Sequence, residues 1–402
     1  MIHLKKTSSL NLVIVSYLDF PYYEGSSKRI EGLIHVLKSY GIHVTVICPL
    51  LRRTQASPEY EGNVSYIDLR RLKALQCPKA GKFVLNSIFS ILAVNKLIHW
   101  SAERNIVIQY QDLYSSIPVI TAKLLKRGKI IGDDIVPLHF DEGRLHPSFT
   151  SFFQFLDLTL LKFTDLIVTA SPKAYSFIKN SNLKGKSVLF FPNGVISSDK
   201  KIAISTAPKT QKKSIIFIGT LSFDQNLQAI TNMFEVIRRL KEKTGDFEML
   251  VVGGPLHCAS HLFNDGLVKE GTIRFLGYVS NKELAYIYDQ AFIGLLPFFK
   301  ETPLCGGQRT KALEYFSHGL LLVTGPEGIK GINNLKIGEH CLVAYSIAEM
   351  TEILYDCLSN PTKYTSMSAN GLRFIESAYS WEAISKNYIK NLLEISNKTG
   401  ES

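Results

Sequence analysis

The chain of 402 residues is predicted to adopt an α/β fold made of two facing, doubly wound Rossmann-like domains with a cleft between them. Strand-like runs of Val, Ile and Leu alternate with helical patterns, which is typical of parallel sheets that are covered on both faces. A polar, basic stretch separates two such alternating sets. The length also exceeds what one ordinary hydrophobic core accommodates, so two domains are the default expectation.

The first set of elements ends at the turn Pro192-Asn193-Gly194. It opens with the apolar run from Leu10 to Val15, which we predict to be a buried strand. A signal peptide is the weaker interpretation, because no small-residue cleavage site follows. A helix with periodic apolar residues comes next and ends at Gly41. Further strands are predicted at 43–47, 105–108, 129–131, 165–169 and 187–191.

The second set of elements follows a stretch that is rich in lysine. Helices are predicted at 226–241 and 381–395, and strands at 214–218, 247–252, 272–276, 292–296 and 320–324. The predicted organisation is therefore a first domain at 1–195, a linker at 196–213 and a second domain at 214–378.

Composition narrows the class of protein and its partners. Hydrophobic residues make up 46% and charged residues 20%, which suits a globular protein. The net charge of +11 fits phosphate-bearing ligands or anionic lipid. Nucleic acid ranks last, because zinc-knuckle spacing and an RNA-binding aromatic signature are both absent from the sequence. None of the six cysteines forms a C-x-x-C pair, which is typical of reduced thiols in a cytoplasmic protein.

The most informative motif runs from Gly306 to Glu314 and reads GGQRTKALE. Its two glycines allow a ligand to approach the backbone closely. Arg309 and Lys311 place two positive charges at the start of a helix that we predict at 307–318. Bare backbone N–H groups and cations at a helix start suit a diphosphate. Since a carboxylate one turn further can accept hydrogen bonds from sugar hydroxyls, the motif predicts a nucleotide-sugar site.

The order and spacing of several motifs resemble the retaining glycosyltransferases of family 4, which have the B-type fold with two Rossmann-like domains. The motifs lie at 23–29, 191–195, 217–226, 275–279, 296–314 and 379–381, so the resemblance runs nearly end to end. It implies that residues 1–195 bind the acceptor and that residues 214–378 bind the donor nucleotide sugar. It also implies that residues 379–402 form a helix that crosses back to the first domain.

The motifs and the resemblance together define a candidate site. We assign the catalytic role to Arg309 and Lys311, which face the diphosphate, and to Asp133, which either orients the acceptor or sugar or caps a loop. Glu314 is expected to bind the ribose hydroxyls. The donor-binding set comprises Gly25, Ser26, Gly219, Thr220, Gln225, Tyr278, Val279, Gly306, Gly307, Gln308, Leu313 and Glu314.

Several positions depart from the pattern of the family. Thr220 and Gln225 stand where many members carry an Arg and a Lys that bind the diphosphate. We expect Arg309 and Lys311 to replace that charge, as in a branch of the family with a glycine-then-Arg-x-Lys pattern. Gly306 stands where many members have the first of two glutamates. These departures leave open a sugar-nucleotide epimerase of the same fold and a catalytically inactive, sugar-nucleotide-binding partner subunit.

The resemblance implies transfer with retention, in which the leaving diphosphate helps to deprotonate the acceptor hydroxyl. We expect no metal or other cofactor, because cations and helix N-termini stabilise the departing charge. The expected partners are a nucleotide sugar and a glycan or lipid-linked acceptor. The basic stretch at 70–82 and the apolar stretch at 83–100 have two interpretations. They form either a contact with the anionic inner face of a membrane or a basic loop before a core helix.

Overall fold

A computed structural model describes residues 10–16, 25–48, 90–95, 97, 106–111, 113–126, 129–134, 147–181, 183, 185–196, 213–300 and 308–397. The chain divides into two units. The first contains Met1–Asn193 and Ile384–Ser402, and the second contains Gly194–Thr302 and Gln308–Ala383. The predicted linker at 196–213 falls almost wholly outside the described residues, and the predicted cleft between the domains stays a prediction.

The sheet of the first unit is parallel throughout its described strands. The strands are β1 (Asn11–Val15), β2 (His43–Ile47), β3 (Ile106–Tyr110), β4 (Lys129–Asp134), β5 (Leu166–Thr169) and β6 (Ser187–Phe190). Their spatial order is β2-β1-β3-β4-β5-β6. Strands β1, β3 and β5 are buried along almost their whole length, which is why they read as continuous apolar runs.

The helices of the first unit are α1 (Gly25–Ser39), α2 (Leu113–Lys126), α3 (Pro147–Leu161) and α4 (Pro172–Asn180). Arg29 on α1 is buried, and its Nη1 donates to the carbonyl of Pro192 at 3.1 Å and to Oδ1 of Asn193 at 3.2 Å. Its guanidinium also lies 4.8 Å from the ring centroid of Phe191. These contacts tie the start of α1 to the segment that follows β6.

The sheet of the second unit is also parallel. Its strands are β7 (Lys213–Ile218), β8 (Phe247–Val252), β9 (Ile273–Gly277), β10 (Ala291–Leu296), β11 (Leu321–Thr324) and β12 (Leu342–Val343). The spatial order is β12-β11-β10-β7-β8-β9. The chain therefore builds the sheet outward from β7 in one direction and then outward from β10 in the other, as a doubly wound domain does.

The helices of the second unit are α5 (Asp224–Lys243), α6 (Gly266–Lys269), α7 (Asn281–Gln290), α8 (Thr310–Ser317), α9 (Ile347–Ser359) and α10 (Thr365–Ala378). The last helix, α11 (Trp381–Asn397), begins in this unit and continues in residues of the first. Tyr388 on α11 stacks on Phe191 at 4.7 Å and donates its hydroxyl to Gln109, so this part of the helix is fixed to the first unit.

The predicted α/β fold with parallel sheets is confirmed. The predicted strands agree with the observed ones to within two residues, except that β4 extends three residues beyond the strand predicted at 129–131. The predicted helix at 307–318 begins instead at Thr310. Gln308 and Arg309 precede the helix, and Arg309 is its N-cap residue. Among the residues with a described placement, no helix is both long and apolar enough to cross a bilayer.

Candidate functional site

The candidate site lies at the carboxyl edge of the second sheet, between β7 and β10. The chain leaves these adjacent strands toward opposite sides of the sheet, and ligands of doubly wound domains bind at such a switch point. β7 leads into Gly219, whose N–H donates to the carbonyl of Val252 at 2.9 Å. A Cβ on Gly253 would lie 2.1 Å from the carbonyl oxygen of Gly219, and Gly253 has φ +122°. The ends of β7 and β8 thus touch backbone to backbone.

Lys311 on α8 reaches across to this edge. Its Nζ donates to Oδ1 of Asn226 at 2.7 Å and lies 5.1 Å from the ring centroid of Phe217. A Cβ on Gly219 would lie only 2.7 Å from the same Nζ, so the ammonium rests directly against the Gly219 backbone. Burial lowers the pKa of Lys311 to about 7, and the charge of Arg309 adds to that effect. Lys311 therefore exchanges its proton close to neutral pH.

Asn226 holds the lysine in place. It is buried in the first turn of α5, and its Nδ2 donates to the carbonyl of Thr220 at 2.7 Å while its Oδ1 accepts from Lys311. Both ends of the amide are thus engaged, which fixes its orientation. Asn226 belongs to the motif at 217–226, but no role was predicted for it from the sequence. The sequence signal that could have indicated one is a polar residue at an inward-facing position of an amphipathic helix.

Arg309 is more deeply buried than Lys311 and has different contacts. Its Nε donates to the carbonyl of Glu327 at 3.0 Å, and its guanidinium carbon lies 3.8 Å from the ring centroid of Phe298. Burial lowers the pKa of Arg309 to about 10, and the nearby charge of Glu327 opposes this change. Arg309 stays charged at neutral pH. Its contacts position the residues before α8 against the segment after β11, and its direct contact with a diphosphate stays a prediction.

Glu314 lies one turn further along α8 and is only half-buried. Its Oε2 accepts a hydrogen bond of 2.9 Å from the hydroxyl of Tyr288, which is buried and stacks on His318 with the ring centroids 3.9 Å apart. Burial, together with the Glu314 charge, raises the pKa of Tyr288 well above its ordinary value. Tyr288 consequently keeps its proton and acts as a donor that orients the carboxylate.

Four other predicted donor residues lie in this unit near the ends of its strands. Thr220 and Gln225 are half-buried on either side of the chain entry into α5. Tyr278 is exposed in the turn between β9 and α7. Its ring packs close to Gly254, since a Cβ on Gly254 would lie only 2.8 Å from it. Val279 follows it in the same turn and is half-buried. The structure thus brings Thr220 into the hydrogen-bond network of Lys311.

The other predicted site residues are buried, lie outside the described residues or belong to the first unit. Leu313 is fully buried in the core of the second unit, and Gln308 is buried just before α8. Gly306 and Gly307 lie outside the described residues. Gly25 and Ser26 open α1, and Asp133 is the next-to-last residue of β4, all in the first unit. The structure describes their backbone positions, and their roles toward a donor or an acceptor stay predictions.

Metal ligation was not expected from the sequence. Within the described part of the chain, no three His, Cys, Asp or Glu side chains are grouped as a metal ion would require. Lys311 and Arg309 supply positive charge near the switch point. The site can therefore hold an anion through these two cations, through backbone N–H groups and through a carboxylate one turn away.

With two parallel α/β sheets, the chain has the fold of the B-type glycosyltransferases that it matches among solved structures. Sucrose-phosphate synthase from Thermosynechococcus elongatus matches with a TM-score of 0.71 and 14% identity, over 97% of this chain and 100% of that one. A UDP-forming α,α-trehalose-phosphate synthase from Burkholderia xenovorans matches with a TM-score of 0.69 and 13% identity, over 96% of this chain and 100% of that one. Anabaena HepE in complex with UDP and glucose matches with a TM-score of 0.67 and 11% identity, over 96% of this chain and 100% of that one. At these identities the likeness concerns the fold.

The amino-acid sequence also matches a protein-family model. Residues 212–360 match the family model described as Glycosyl transferases group 1. This segment is less than half of the chain and runs from β7 to the end of α9, so it contains Asn226, Lys311 and Glu314. The chain thus contains a glycosyltransferase group 1 domain that includes the candidate site. No curated protein sequence matches the chain.

Proposed function

We propose that the protein is a retaining glycosyltransferase that moves a sugar from a nucleotide diphosphate sugar to a glycan, glycolipid or polysaccharide acceptor. The observation that carries the proposal is the Lys311 ammonium, which Asn226 holds against Gly219 at the switch point of a glycosyltransferase group 1 domain. Two structural relatives support a nucleoside diphosphate as the ligand class, because one is in complex with UDP and glucose and the other is UDP-forming.

In this proposal Lys311 binds the diphosphate. The bond between the sugar and the diphosphate breaks during transfer, and negative charge grows on the leaving phosphate oxygens. An ammonium that is partly desolvated stabilises that growing charge more than it stabilises the bound substrate, which lowers the barrier. Lys311 supplies the charge that Thr220 and Gln225 do not. Arg309 contributes at longer range and keeps the start of α8 in position.

The nucleoside end of the donor is assigned to Glu314. A carboxylate has about four acceptor sites, so Glu314 can accept hydrogen bonds from ribose hydroxyls while it still accepts one from Tyr288. The retained Tyr288 bond fixes the direction in which the carboxylate points. Tyr278 and Val279 are then available to contact the base through the turn after β9. The proposed reaction uses no metal ion, so a chelator is expected to leave the rate of transfer unchanged.

The proposal is tested with sugar nucleotides and candidate acceptors, by following transfer and the anomeric configuration of the product by NMR. Transfer with retained configuration is expected from the unaltered protein. The double variant Arg309→Ala/Lys311→Ala is expected to lose transfer while it keeps the circular dichroism spectrum of the fold. Lys269→Ala, at an exposed lysine of α6, is the matched control. Unchanged transfer by the double variant would refute the site, and an inverted product would refute retention.

A second candidate function is a sugar-nucleotide-binding subunit without transferase activity. The observation that favours it is the pair Thr220 and Gln225, two uncharged residues at positions where the resembled family carries cations. Calorimetry distinguishes the two functions. Tight binding of a nucleotide without turnover across all acceptors supports the subunit. Conversion of a sugar nucleotide in the absence of any acceptor indicates an epimerase instead.

A further inference from the structure

The first unit carries an exposed apolar surface that the proposed reaction does not use. It is formed by two helices, and two of its side chains, Leu124 and Phe155, are 68% and 69% exposed. Exposed apolar side chains that cluster in this way mark interaction surfaces more often than those that are scattered singly. We define the α2–α3 face by Ile117, Leu124 and Leu125 on α2, Phe152 and Phe155 on α3, and Phe163 just after α3.

These residues form one surface because the two helices are joined at their ends. Lys123 on α2 donates to the carbonyl of Phe163 at 2.6 Å and forms an ion pair of 3.0 Å with Asp165. The two helices also pack on each other. On α2, Leu124 lies seven residues beyond Ile117 and so on the same side of the helix, with Leu125 next to it. On α3, Phe152 and Phe155 are three residues apart and share one side, so each helix carries one apolar stripe.

The hydroxyl groups on the two stripes are bonded within their own helices. Oγ1 of Thr121 donates to the carbonyl of Ile117 at 2.8 Å, and Oγ1 of Thr159 donates to the carbonyl of Phe155 at 2.7 Å. A protein interface typically carries about one hydrogen bond per 100–200 Å². Hydrocarbon instead requires that polar groups find their partners inside the protein. The pattern of these hydroxyls therefore favours lipid over a protein partner.

The charges around the face are basic. α2 contains no acidic residue, ends at Lys126 and is followed by Lys129 at the start of β4. Lys162 is exposed directly beside Phe163. The single acidic residue of α3, Asp157, is buried. This charge suits the anionic head groups of a bilayer. A second copy of the chain would instead bring the lysines of both copies together, which is unfavourable.

We propose that the α2–α3 face docks the protein onto an anionic lipid bilayer. The phenylalanine and leucine side chains enter the boundary between head groups and acyl chains, and the lysines contact the head groups. This surface is distinct from the membrane contact predicted at 70–100, most of which lies outside the described residues. The inference does not depend on the proposed transferase activity.

The test is sedimentation of the full chain with vesicles of phosphatidylcholine alone or mixed with phosphatidylglycerol. The unaltered protein is expected to bind only the mixed vesicles, and less well at high salt. The double variant Leu124→Gln/Phe155→Gln removes two exposed side chains and is expected to weaken binding at least about tenfold. Tyr286→Gln, at an exposed aromatic residue of α7, is the matched control and is expected to bind as the unaltered protein does.

A conservative variant separates lipid contact from loss of folding. Phe155→Trp keeps an aromatic side chain on the face and is expected to bind normally, with its fluorescence quenched by brominated acyl chains. Lys162→Glu is expected to weaken binding about tenfold, and Lys269→Glu on the second unit is expected to leave it unchanged. The proposal is overturned if the double variant binds as well as the unaltered protein. It is also overturned if no vesicle binds and the face instead mediates a dimer or captures another protein.

Discussion

Two buried arginines, one in each unit, have nearly the same surroundings. The guanidinium of Arg29 lies 4.8 Å from the ring of Phe191 and donates to the carbonyl of Pro192. That of Arg309 lies 3.8 Å from the ring of Phe298 and likewise donates to a loop carbonyl. Arg29 lies four residues beyond Gly25, the first residue of α1, and Arg309 is the N-cap residue of α8. The likeness indicates that an arginine at this place holds a helix to its neighbouring loop.

The difference between the two regions is the partner cation. In the second unit, Lys311 lies two residues beyond the arginine and extends to Asn226 and Gly219. Arg309, which precedes α8, thus makes packing contacts, whereas Lys311 on α8 lies at the switch point. In the proposed function only Lys311 of these two cations contacts the ligand directly.

The largest effect is expected from Lys311→Met. Removing the ammonium deletes a charge-assisted hydrogen bond to the diphosphate, and affinity for nucleoside diphosphates is expected to fall about 100-fold. Stability is expected to change little, because the loss of a partly desolvated amine is offset by the buried Oδ1 of Asn226, which loses its donor. Titration calorimetry measures the affinity, with Lys269→Met as the control. An affinity within about twofold of the unaltered protein contradicts the assignment.

Arg309→Met is expected to produce the opposite pattern. It removes a buried cation–π contact and a hydrogen bond, so the free energy of unfolding is expected to fall by about 2–3 kcal/mol. Nucleotide affinity is expected to fall less than about tenfold. Denaturant titration and calorimetry on the same preparation test both statements. A 100-fold loss of affinity with unchanged stability would show that Arg309 is itself a diphosphate ligand.

Arg29→Met is expected to destabilise the first unit by about 2 kcal/mol, because it removes the same two kinds of contact. Nucleotide affinity measured on the folded protein is expected to stay the same. This variant tests whether Arg29, like Arg309, mainly stabilises the fold. If Arg29→Met weakens donor binding without loss of stability, the likeness between the two regions is only geometric.

The smallest expected effect is the pH dependence of the affinity for the donor. The pKa of Lys311 is about 7 in the free protein, and a bound pyrophosphate raises it, so binding above pH 7 takes up a proton. Affinity for a sugar nucleotide, whose pyrophosphate diester does not titrate in this range, is expected to fall with rising pH, by up to about tenfold per unit. Calorimetry in buffers of different ionisation enthalpy measures the uptake. Lys311→Arg keeps its charge and is expected to abolish the dependence.

The fold was largely predictable from the sequence because continuous apolar runs are a direct consequence of strands covered on both faces. The two-residue strand β12 was missed, since Leu342 and Val343 are too short a run to form a periodic signal. The start of α8 was placed three residues early. Glycines permit many conformations, so the residues that precede Thr310 do not define a helix boundary by themselves.

The site was predictable in part. The motif directed attention to Arg309, Lys311 and Glu314, which the structure places at and just before the start of α8. It did not reveal that Arg309 packs on Phe298 or that Lys311 reaches Asn226, because those partners are 11 and 85 residues away in sequence. Local spacing identifies which charges are near a helix start. Which of them packs into the core depends on contacts that only the tertiary structure supplies.

The backbone contact between Gly219 and Gly253 limits how this protein can be re-engineered. Gly253 does not accept a larger residue, because its φ is +122° and a Cβ there would meet the carbonyl oxygen of Gly219. A Cβ on Gly219 would displace the ammonium of Lys311, so a substitution at either glycine disturbs the candidate site itself. A laboratory search for altered sugar preference is better directed at Thr220, Gln225 and Tyr278.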